Sequence, residues 1–293
     1  MKNTTTLGQL ILNLIFILIS LLYILPILLL VSISFSSEAS IMEFGYSLIP
    51  AKIDLTAYKM IFRSPDTLIT AYKTTIIFTL VTTLLSVIIM AMAAYPLSRS
   101  NCKFKKAFSI FMLITMLFNG GLVPHYIINT RYLHLGNTIW IYILPFLVSA
   151  WYIIIIRTFF QGLPEGLVEA AKIDGASEMR ILFQIMLPLS TPVLATIAFM
   201  QFLGKWGDWN TTLIYIRDPN LYSLQYLLQS ILREAEFLNK VSADGSGLFD
   251  YTEAPIESMR YAMAILAAGP AMFVFPFFQK YLTKGLTVGA VKG

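Results

Sequence analysis

The chain has 293 residues, of which 57% are hydrophobic and 13% are charged. A soluble globular domain usually carries about 25% charged residues, so a soluble fold of this length would lack the polar side chains to cover its surface. The net charge of +5 comes without a dense lysine or arginine stripe, which argues against nucleic-acid binding. The single cysteine, Cys102, excludes a disulfide framework and a cysteine-based metal cluster. The composition therefore indicates a membrane protein.

Several segments are apolar and long enough to cross the hydrocarbon core, which takes about 20 helical residues. In chain order, the predicted spans cover residues 10–33, 74–97, 108–128, 137–160, 188–209 and 261–281. The first apolar run is longer than the core of a signal peptide, so it is expected to remain as an uncleaved span. The sequence thus predicts an all-α integral membrane protein with six transmembrane helices, forming one domain over residues 1–293.

The third span contains Gly120-Gly121 and Pro124, which are expected to break its helix. The freed backbone groups need partners inside the protein. Two roles stay open for this break: it lines the transport pathway, or it permits close helix packing.

The loop charges predict the orientation of the chain. Residues 99–106, after the second span, hold four cations and no acid, and the C-terminal tail adds lysines without an acid. The loops after the first and fifth spans mix both signs. By the positive-inside rule, both termini and the loops after spans two and four face the cytoplasm.

The long outer loop at residues 214–257 contains leucines at helical spacing. Asn220, just after Pro219, is the expected N-cap of an amphipathic helix. This helix has two possible roles, which the sequence does not separate. It covers the outer end of the bundle, or it offers a docking surface to an external partner.

The cytoplasmic segment at residues 162–188 has the pattern of two short helices joined by a tight turn. Pro164 and Glu165 suit the first helical turn, and Gly175 suits a left-handed C-terminal cap. Ser177 then caps the second helix. Small side chains and a tight turn suit an elbow that enters a cleft on another protein, although capping signals alone would favour an ordinary connector.

The same segment resembles the EAA loop of ABC-importer permeases. The matching residues are Glu-Ala-Ala at 169–171, Asp-Gly-Ala at 174–176 and Ile-Met-Leu-Pro at 185–188. In that family, the helix of the loop sits in a groove of the nucleotide-binding subunit and moves with it. The ATPase-coupling residues that the resemblance implies are Glu169, Ala170, Ala171, Asp174, Gly175 and Pro188.

Three further stretches resemble carbohydrate importer permeases, most of all the second permease of the oligosaccharide and polysaccharide-fragment group. They are Phe-Asn-Gly-Gly-Leu-Val-Pro at 118–124, Trp-Gly-Asp-Trp-Asn at 206–210 and the C-terminal residues 285–293. The family often has Asn where Gly207 stands, which leaves a role for that position open. The resemblance implies a bacterial cell-membrane importer of oligosaccharides, built with a second homologous permease, two ATPase subunits and an extracytoplasmic sugar-binding protein.

This chain has no GxxxxGK[ST] phosphate-binding loop, so it is not expected to be an enzyme or to carry a cofactor. ATP and magnesium would bind to the partner ATPase subunits. His125 and His134 are the only histidines, and they are too few for the ligand set of a zinc site.

The fifth span carries Lys205 and Asp208, three positions apart, which places both on one helix face where they can pair. Trp206 and Trp209 share an adjacent face and offer flat rings to sugars. The favoured alternative is an interfacial aromatic belt with snorkelling charges. The candidate pathway residues are Asn119, Gly120, Trp206, Asp208, Trp209 and Asn210.

Other functions remain as alternatives. One is an ABC permease for a non-sugar solute, such as a peptide or an amino acid. An ion-coupled secondary transporter would need a relay of intramembrane acids, for which Asp208 is the only candidate. A membrane scaffold would not explain the elbow pattern at residues 162–188.

Overall fold

The computed structural model describes residues 7–243 and 254–290, and these ranges are helical apart from their connecting loops and one isolated bridge between Ser36 and Ile53. They divide into two compact units, one comprising residues up to 65 with 228–270, the other 66–227 with the residues from 271 onward. The α-helices, numbered in chain order, are α1 (Leu7–Ser34), α2 (Glu38–Phe44), α3 (Thr56–Ile61), α4 (Pro65–Ser98), α5 (Lys105–Leu117), α6 (Leu122–Ile127), α7 (Ala150–Gln161), α8 (Gly166–Ile173), α9 (Glu178–Ile181), α10 (Leu187–Leu189), α11 (Thr191–Trp206), α12 (Asn210–Tyr215), α13 (Leu224–Ala243) and α14 (Ile256–Ala290).

Three helices are each long and apolar enough to cross a membrane as single elements: residues 8–34, 65–98 and 256–281. They correspond to predicted spans one, two and six. Three bent helix pairs bring the total to six if each pair forms one span. The six predicted spans are therefore obtained only if each bent helix pair is counted as one span.

The bent pairs correspond to predicted spans three, four and five, and their angles are 111°, 46° and 81°. The break in span three was predicted from its glycines: Gly121 has φ +82°, which a side chain disfavours. A continuous helix over residues 137–160 is wrong, because the stretch before α7 forms 3₁₀ turns at Ile139–Tyr142 and Leu144–Phe146. Span five begins with a separate helical stretch before Thr191.

In the smaller unit, the segment after α1 is fixed by polar contacts. The Ser32 hydroxyl donates to the carbonyl of Ser47 (2.7 Å), and the Tyr58 hydroxyl donates to Ser34 (3.0 Å). The Glu38 carboxylate accepts hydrogen bonds from the backbone N–H groups of Glu257 (3.1 Å) and Ser258 (3.3 Å). A carboxylate at this position satisfies the orphan donors of the first turn of α14 and favours its dipole.

The larger unit is organised along α4, which contributes to two apolar clusters. Its first half holds Phe78, whose ring stacks on that of Tyr142 at 4.3 Å. Its second half, from Met90 to Leu97, packs with α7, α8, α11 and the stretch after α9. Val168 and Ala171 of α8 belong to the second cluster, so this short helix packs directly against the membrane helices.

The amphipathic helix expected in the outer loop is α13, and its leucines at 224, 227 and 228 are buried. The prediction of Asn220 as its N-cap is wrong, because Asn220 lies in a 3₁₀ turn that Asp218 caps (2.9 Å). Extended backbone at Tyr222 follows, and Ser223 caps α13 by accepting from the N–H of Tyr226 (3.4 Å).

Candidate functional site

The coupling segment, residues 162–188, folds as the sequence predicts into two short helices joined at a glycine. Gly175 has φ +77°, and its N–H donates to the carbonyl of Lys172 (3.0 Å) while the N–H of Ala176 donates to that of Ala171 (2.9 Å). These two bonds form a Schellman motif, which ends α8 sharply. Ser177 caps α9 by accepting from the N–H of Arg180 (3.3 Å), also as predicted.

One detail of the segment differs from the prediction. Pro164 does not lie in the first turn of α8, because the helix begins at Gly166. The carbonyl of Pro164 accepts from the N–H of Leu167 (3.3 Å), so the proline forms a turn that leads into the helix.

The two faces of α8 have different environments. Val168 and Ala171 are 5% and 9% exposed and pack into the core around α4 and α7. Glu169 and Ala170 are exposed, and Ile173 is 87% exposed. The inner face of α8 therefore packs against the chain's own core, whereas its outer face is exposed.

The predicted coupling residues therefore divide between the two sides. Glu169, Ala170, Asp174 and Gly175 are exposed, whereas Ala171 lies against the chain's own core. Ala171 supports the helix from inside, so a contact with a partner would come from the exposed residues. Pro188 is exposed in the short helix α10.

The sequence did not reveal a set of contacts that joins the coupling segment to α4. The Glu178 carboxylate accepts a hydrogen bond from the Tyr95 hydroxyl (2.6 Å) and pairs with the Lys172 ammonium (2.7 Å). The guanidinium of Arg99 lies over the Tyr95 ring at 4.8 Å. Since Tyr95 and Glu178 are far apart in the sequence, no local spacing signals this contact.

A second candidate site lies where α11 ends. Lys205 and Asp208 form the predicted pair at 2.7 Å, and their side chains are only 6% and 9% exposed. The ammonium also lies 3.0 Å from the centroid of the Phe146 ring. The snorkelling interpretation is therefore wrong, because the lysine is directed into the protein and not toward an interface.

Both oxygens of the Asp208 carboxylate have internal partners. Besides Lys205, the carboxylate accepts from the N–H of Thr211 (3.0 Å) and from its hydroxyl (2.7 Å). The residue thus holds the first turn of α12 against the end of α11. Its role in the structure is to organise the break between the two helices.

A cavity of about 380 Å³ opens beside this ion pair. Its walls include Phe146, Gln201, Lys205, Asp208, Trp209 and Asn210. Three of the six predicted pathway residues, Asp208, Trp209 and Asn210, therefore line one space.

The other three pathway candidates lie elsewhere. Trp206 is 5% exposed, and its ring stacks on Phe202 at 5.8 Å. The prediction of a shared face for Trp206 and Trp209 is wrong, because α11 ends at Trp206. Asn119 and Gly120 lie in the break between α5 and α6, where the Asn119 side chain accepts from the N–H of Gly121 (2.9 Å).

Metal binding has no support in the part of the chain that the structure describes. Within residues 7–243 and 254–290, no three side chains of His, Cys, Asp or Glu lie close enough to hold an ion.

The chain is similar to known transport proteins over most of its length. It is 35% identical over 270 residues to Protein LplC of Bacillus subtilis (strain 168), covering 92% of this chain and 90% of LplC. It is 32% identical to the polygalacturonan/rhamnogalacturonan transport system permease protein YtcP of the same organism, covering 94% of each.

A solved structure shows the same fold. It is a chain in the crystal structure of a bacterial ABC transporter involved in the import of the acidic polysaccharide alginate. The two chains share 25% identity with a TM-score of 0.75, covering 96% of this chain and 99% of the other.

Residues 83–288 match the sequence model of the family described as the binding-protein-dependent transport system inner membrane component. This range contains α7 to α12, and so both the coupling segment and the cavity beside Lys205. The exposed elbow and the broken apolar helices are thus features of a transport subunit, and the chain belongs to this family of ABC-importer permeases.

Proposed function

We propose that the chain is one of two permeases in an ATP-driven importer of oligosaccharides, including fragments of polysaccharides. YtcP is named for polygalacturonan and rhamnogalacturonan transport, and the similar solved structure belongs to an importer of alginate. Substrates of this kind are long, hydroxyl-rich chains. These similarities favour a carbohydrate over a peptide or an amino acid as the solute.

The observation that carries the proposal is the two-sided α8. Its inner face, Val168 and Ala171, is packed into the membrane helices, while its outer face presents Glu169 and the 87% exposed Ile173. A helix that is exposed on one face and packed against the membrane helices on the other can bind a moving partner and pass its movement to those helices. The partner would be an ATPase subunit whose groove accepts this outer face.

The proposed assembly contains this chain, a second homologous permease, two ATPase subunits and an extracytoplasmic binding protein. ATP and magnesium bind to the ATPase subunits, because this sequence has no phosphate-binding loop. The chain lies in the bacterial cytoplasmic membrane with both termini in the cytoplasm, which the cationic residues 99–106 favour.

The cavity beside Lys205 is the proposed part of the solute pathway. Because both oxygens of Asp208 already have partners and Gln201 Nε2 donates to the carbonyl of Phe146 (2.9 Å), sugar hydroxyls would bond to Gln201 Oε1 and to the amide of Asn210 instead. Trp209 is 37% exposed and offers a flat apolar face to a sugar ring. The Lys205–Asp208 pair gives this wall a balanced charge.

The test is ATP-dependent uptake of labelled oligosaccharides into vesicles that contain the complete transporter and its binding protein. We expect Glu169→Lys, a charge reversal on the outer face of α8, to lower uptake by about tenfold or more, the ratio produced by 1.4 kcal/mol. Membrane levels of the chain should stay unchanged, since Glu169 is exposed.

Two results would contradict the proposal. Uptake that follows a proton gradient and needs no ATP would indicate an ion-coupled transporter. Competition by amino acids or short peptides, with no competition by oligosaccharides, would indicate a permease for a different solute.

A further inference from the structure

The contact between Tyr95 and Glu178 joins two segments that are 83 positions apart in the sequence. We infer that Glu178 is a positioning residue that locks the coupling helix α8 to the membrane helix α4, so that ATP-driven movement of α8 is passed to the membrane. The inference rests on the proposed coupling role of residues 162–188. Tyr95, Lys172 and Glu178 are together called the Glu178 clasp.

Each oxygen of the Glu178 carboxylate holds a different element. Oε1 pairs with the ammonium of Lys172 at 2.7 Å, and Lys172 lies in the last turn of α8. Oε2 accepts from the Tyr95 hydroxyl at 2.6 Å, and Tyr95 lies near the end of α4. Glu178 itself is the first residue of α9. One side chain therefore bridges three helices.

The Tyr95 end of the clasp is the firm one. Tyr95 is 6% exposed, and its ring packs edge-on against Phe160 at 6.4 Å. Arg99 covers the same ring and also contacts the sulfur of Met186 at 3.5 Å, in the stretch that follows α9. Because the ring is held on several sides, its hydroxyl is a fixed anchor for the carboxylate.

The Lys172 end is weaker. The side chains of Lys172 and Glu178 are 42% and 57% exposed, and an ion pair at such exposure contributes little by itself. Its effect depends on Tyr95, which holds the carboxylate in the position where Lys172 reaches it. We therefore expect the hydroxyl to matter more than the ammonium.

The turn at Gly175 explains why a clasp is needed. Gly175 has no side chain, and nothing lies within 4 Å of the place where a Cβ would stand. The backbone bonds of the Schellman motif fix the turn locally, but no side-chain packing supports it at Gly175. The packing of Val168 and Ala171 holds the inner face of α8 on the core, but a force on its outer face also acts on this glycine turn, and a contact that spans the turn resists bending there. The Glu178 clasp runs across the turn from Lys172 to Glu178 and on to α4.

The experiment compares variants of the complete transporter, with its ATPases, second permease and binding protein, in vesicles. Uptake and ATP hydrolysis are measured together, which gives the solute imported per ATP. For Tyr95→Phe, we expect this ratio to fall about fivefold while ATP hydrolysis stimulated by the binding protein stays near the wild-type rate. A purely structural role would lower the amount of transporter and leave the ratio unchanged.

Two further variants test whether the Tyr95 contact matters more than the Lys172 contact. Glu178→Gln keeps an acceptor for Tyr95 but loses the ion pair, so the ratio should fall less than in Tyr95→Phe. Because Glu178 is largely exposed, this variant is expected to fold even if Tyr95→Phe is poorly assembled. In the double variant Tyr95→Phe with Glu178→Ala, the loss should be smaller than the sum of the losses in the two single variants, since both substitutions remove the Tyr95–Glu178 bond and only Glu178→Ala also removes the ion pair.

The matched control is Tyr152→Phe on α7. Tyr152 packs against the same core cluster, and its hydroxyl has no hydrogen bond within the described residues. A wild-type ratio in both Tyr95→Phe and Glu178→Gln would overturn the inference, as would an equal loss in Tyr152→Phe. Failure of the unmodified complex to couple uptake to ATP would instead refute the proposed function, before any variant is compared.

Discussion

Two turns in the larger unit have a similar design but opposite surroundings. The first joins α8 to α9 at Gly175, and the second joins α11 to α12 at Gly207. In each, a glycine follows the end of a helix, and a polar side chain just beyond it, Ser177 or Asp208, accepts from a backbone N–H of the next helix. The glycines differ, because φ is +77° at Gly175 and −84° at Gly207.

The charged pairs beside the two turns show the larger difference. Lys172 and Glu178 are about half exposed, whereas Lys205 and Asp208 are almost fully buried. An exposed turn leaves its helix available to another protein. The second turn opens to the cavity at Gly207, Trp209 and Asn210, but its ion pair is buried and bonded to internal partners, which makes the turn rigid. Damage to the first should therefore impair function without unfolding the chain, and damage to the second should first lower stability.

The largest effect is expected from Gly175→Pro. Proline fixes φ near −65° and lacks the N–H that bonds to Lys172, so the Schellman motif cannot form. We expect uptake by the complete transporter to be abolished, while immunoblots of membranes show a near-normal amount of the chain. Uptake close to the wild-type rate would show that the angle of the elbow is unimportant.

Gly175→Asn is the matched substitution for this test. Asparagine tolerates a positive φ better than other side chains, and nothing occupies the space where its Cβ would stand. We expect much of the uptake to survive. Equal loss in both variants would mean that any side chain at this position blocks the partner, and not that the turn conformation matters.

The sequence predicted this elbow well because its signals are local. Gly175 as the helix end and Ser177 as the next cap each depend on bonds to residues within a few positions. The break in span three could likewise be predicted from Gly120-Gly121. The clasp between Tyr95 and Glu178 could not, because only the packing of α4 against the coupling segment brings the two residues together.

Two predictions, the N-cap at Asn220 and the shared face of Trp206 and Trp209, were wrong for the same reason. Asn220 has the chemistry of an N-cap, but extended backbone after it moves the start of α13 to Leu224. Helical periodicity placed Trp206 and Trp209 on one face, but the helix ends between them. Local chemistry indicates what a residue can do, whereas tertiary structure decides where a helix ends.

The second prediction concerns the turn at Gly207, whose ion pair is buried. Lys205→Met removes one partner of the ion pair and leaves Asp208 buried, so we expect unfolding to become easier by about 3 kcal/mol. Thermal unfolding of the purified chain in detergent measures this loss. The double variant Lys205→Met with Asp208→Asn removes the charge but keeps an acceptor for the N–H of Thr211, so it should recover much of the stability.

An unchanged unfolding temperature in Lys205→Met would contradict the proposed difference between the two turns, because the buried ion pair would then contribute nothing to stability. Its counterpart on the exposed turn, Lys172→Met, should have little effect on the unfolding temperature, because Lys172 and Glu178 are both solvated.

The smallest effect is expected at Trp209, which lies in the turn at Gly207 and is partly exposed to the cavity. If its ring supports a sugar, Trp209→Ala should raise the apparent KM of oligosaccharide uptake about fivefold, a loss of about 1 kcal/mol, with little change in stability. Trp209→Phe keeps a flat ring and should preserve most of the affinity. Trp151→Ala on α7 serves as the control, because Trp151 is 59% exposed and does not line this cavity. A rise in KM for Trp209→Ala alone would identify this wall as part of the pathway, while equal changes in both variants would indicate a general effect of losing an aromatic side chain.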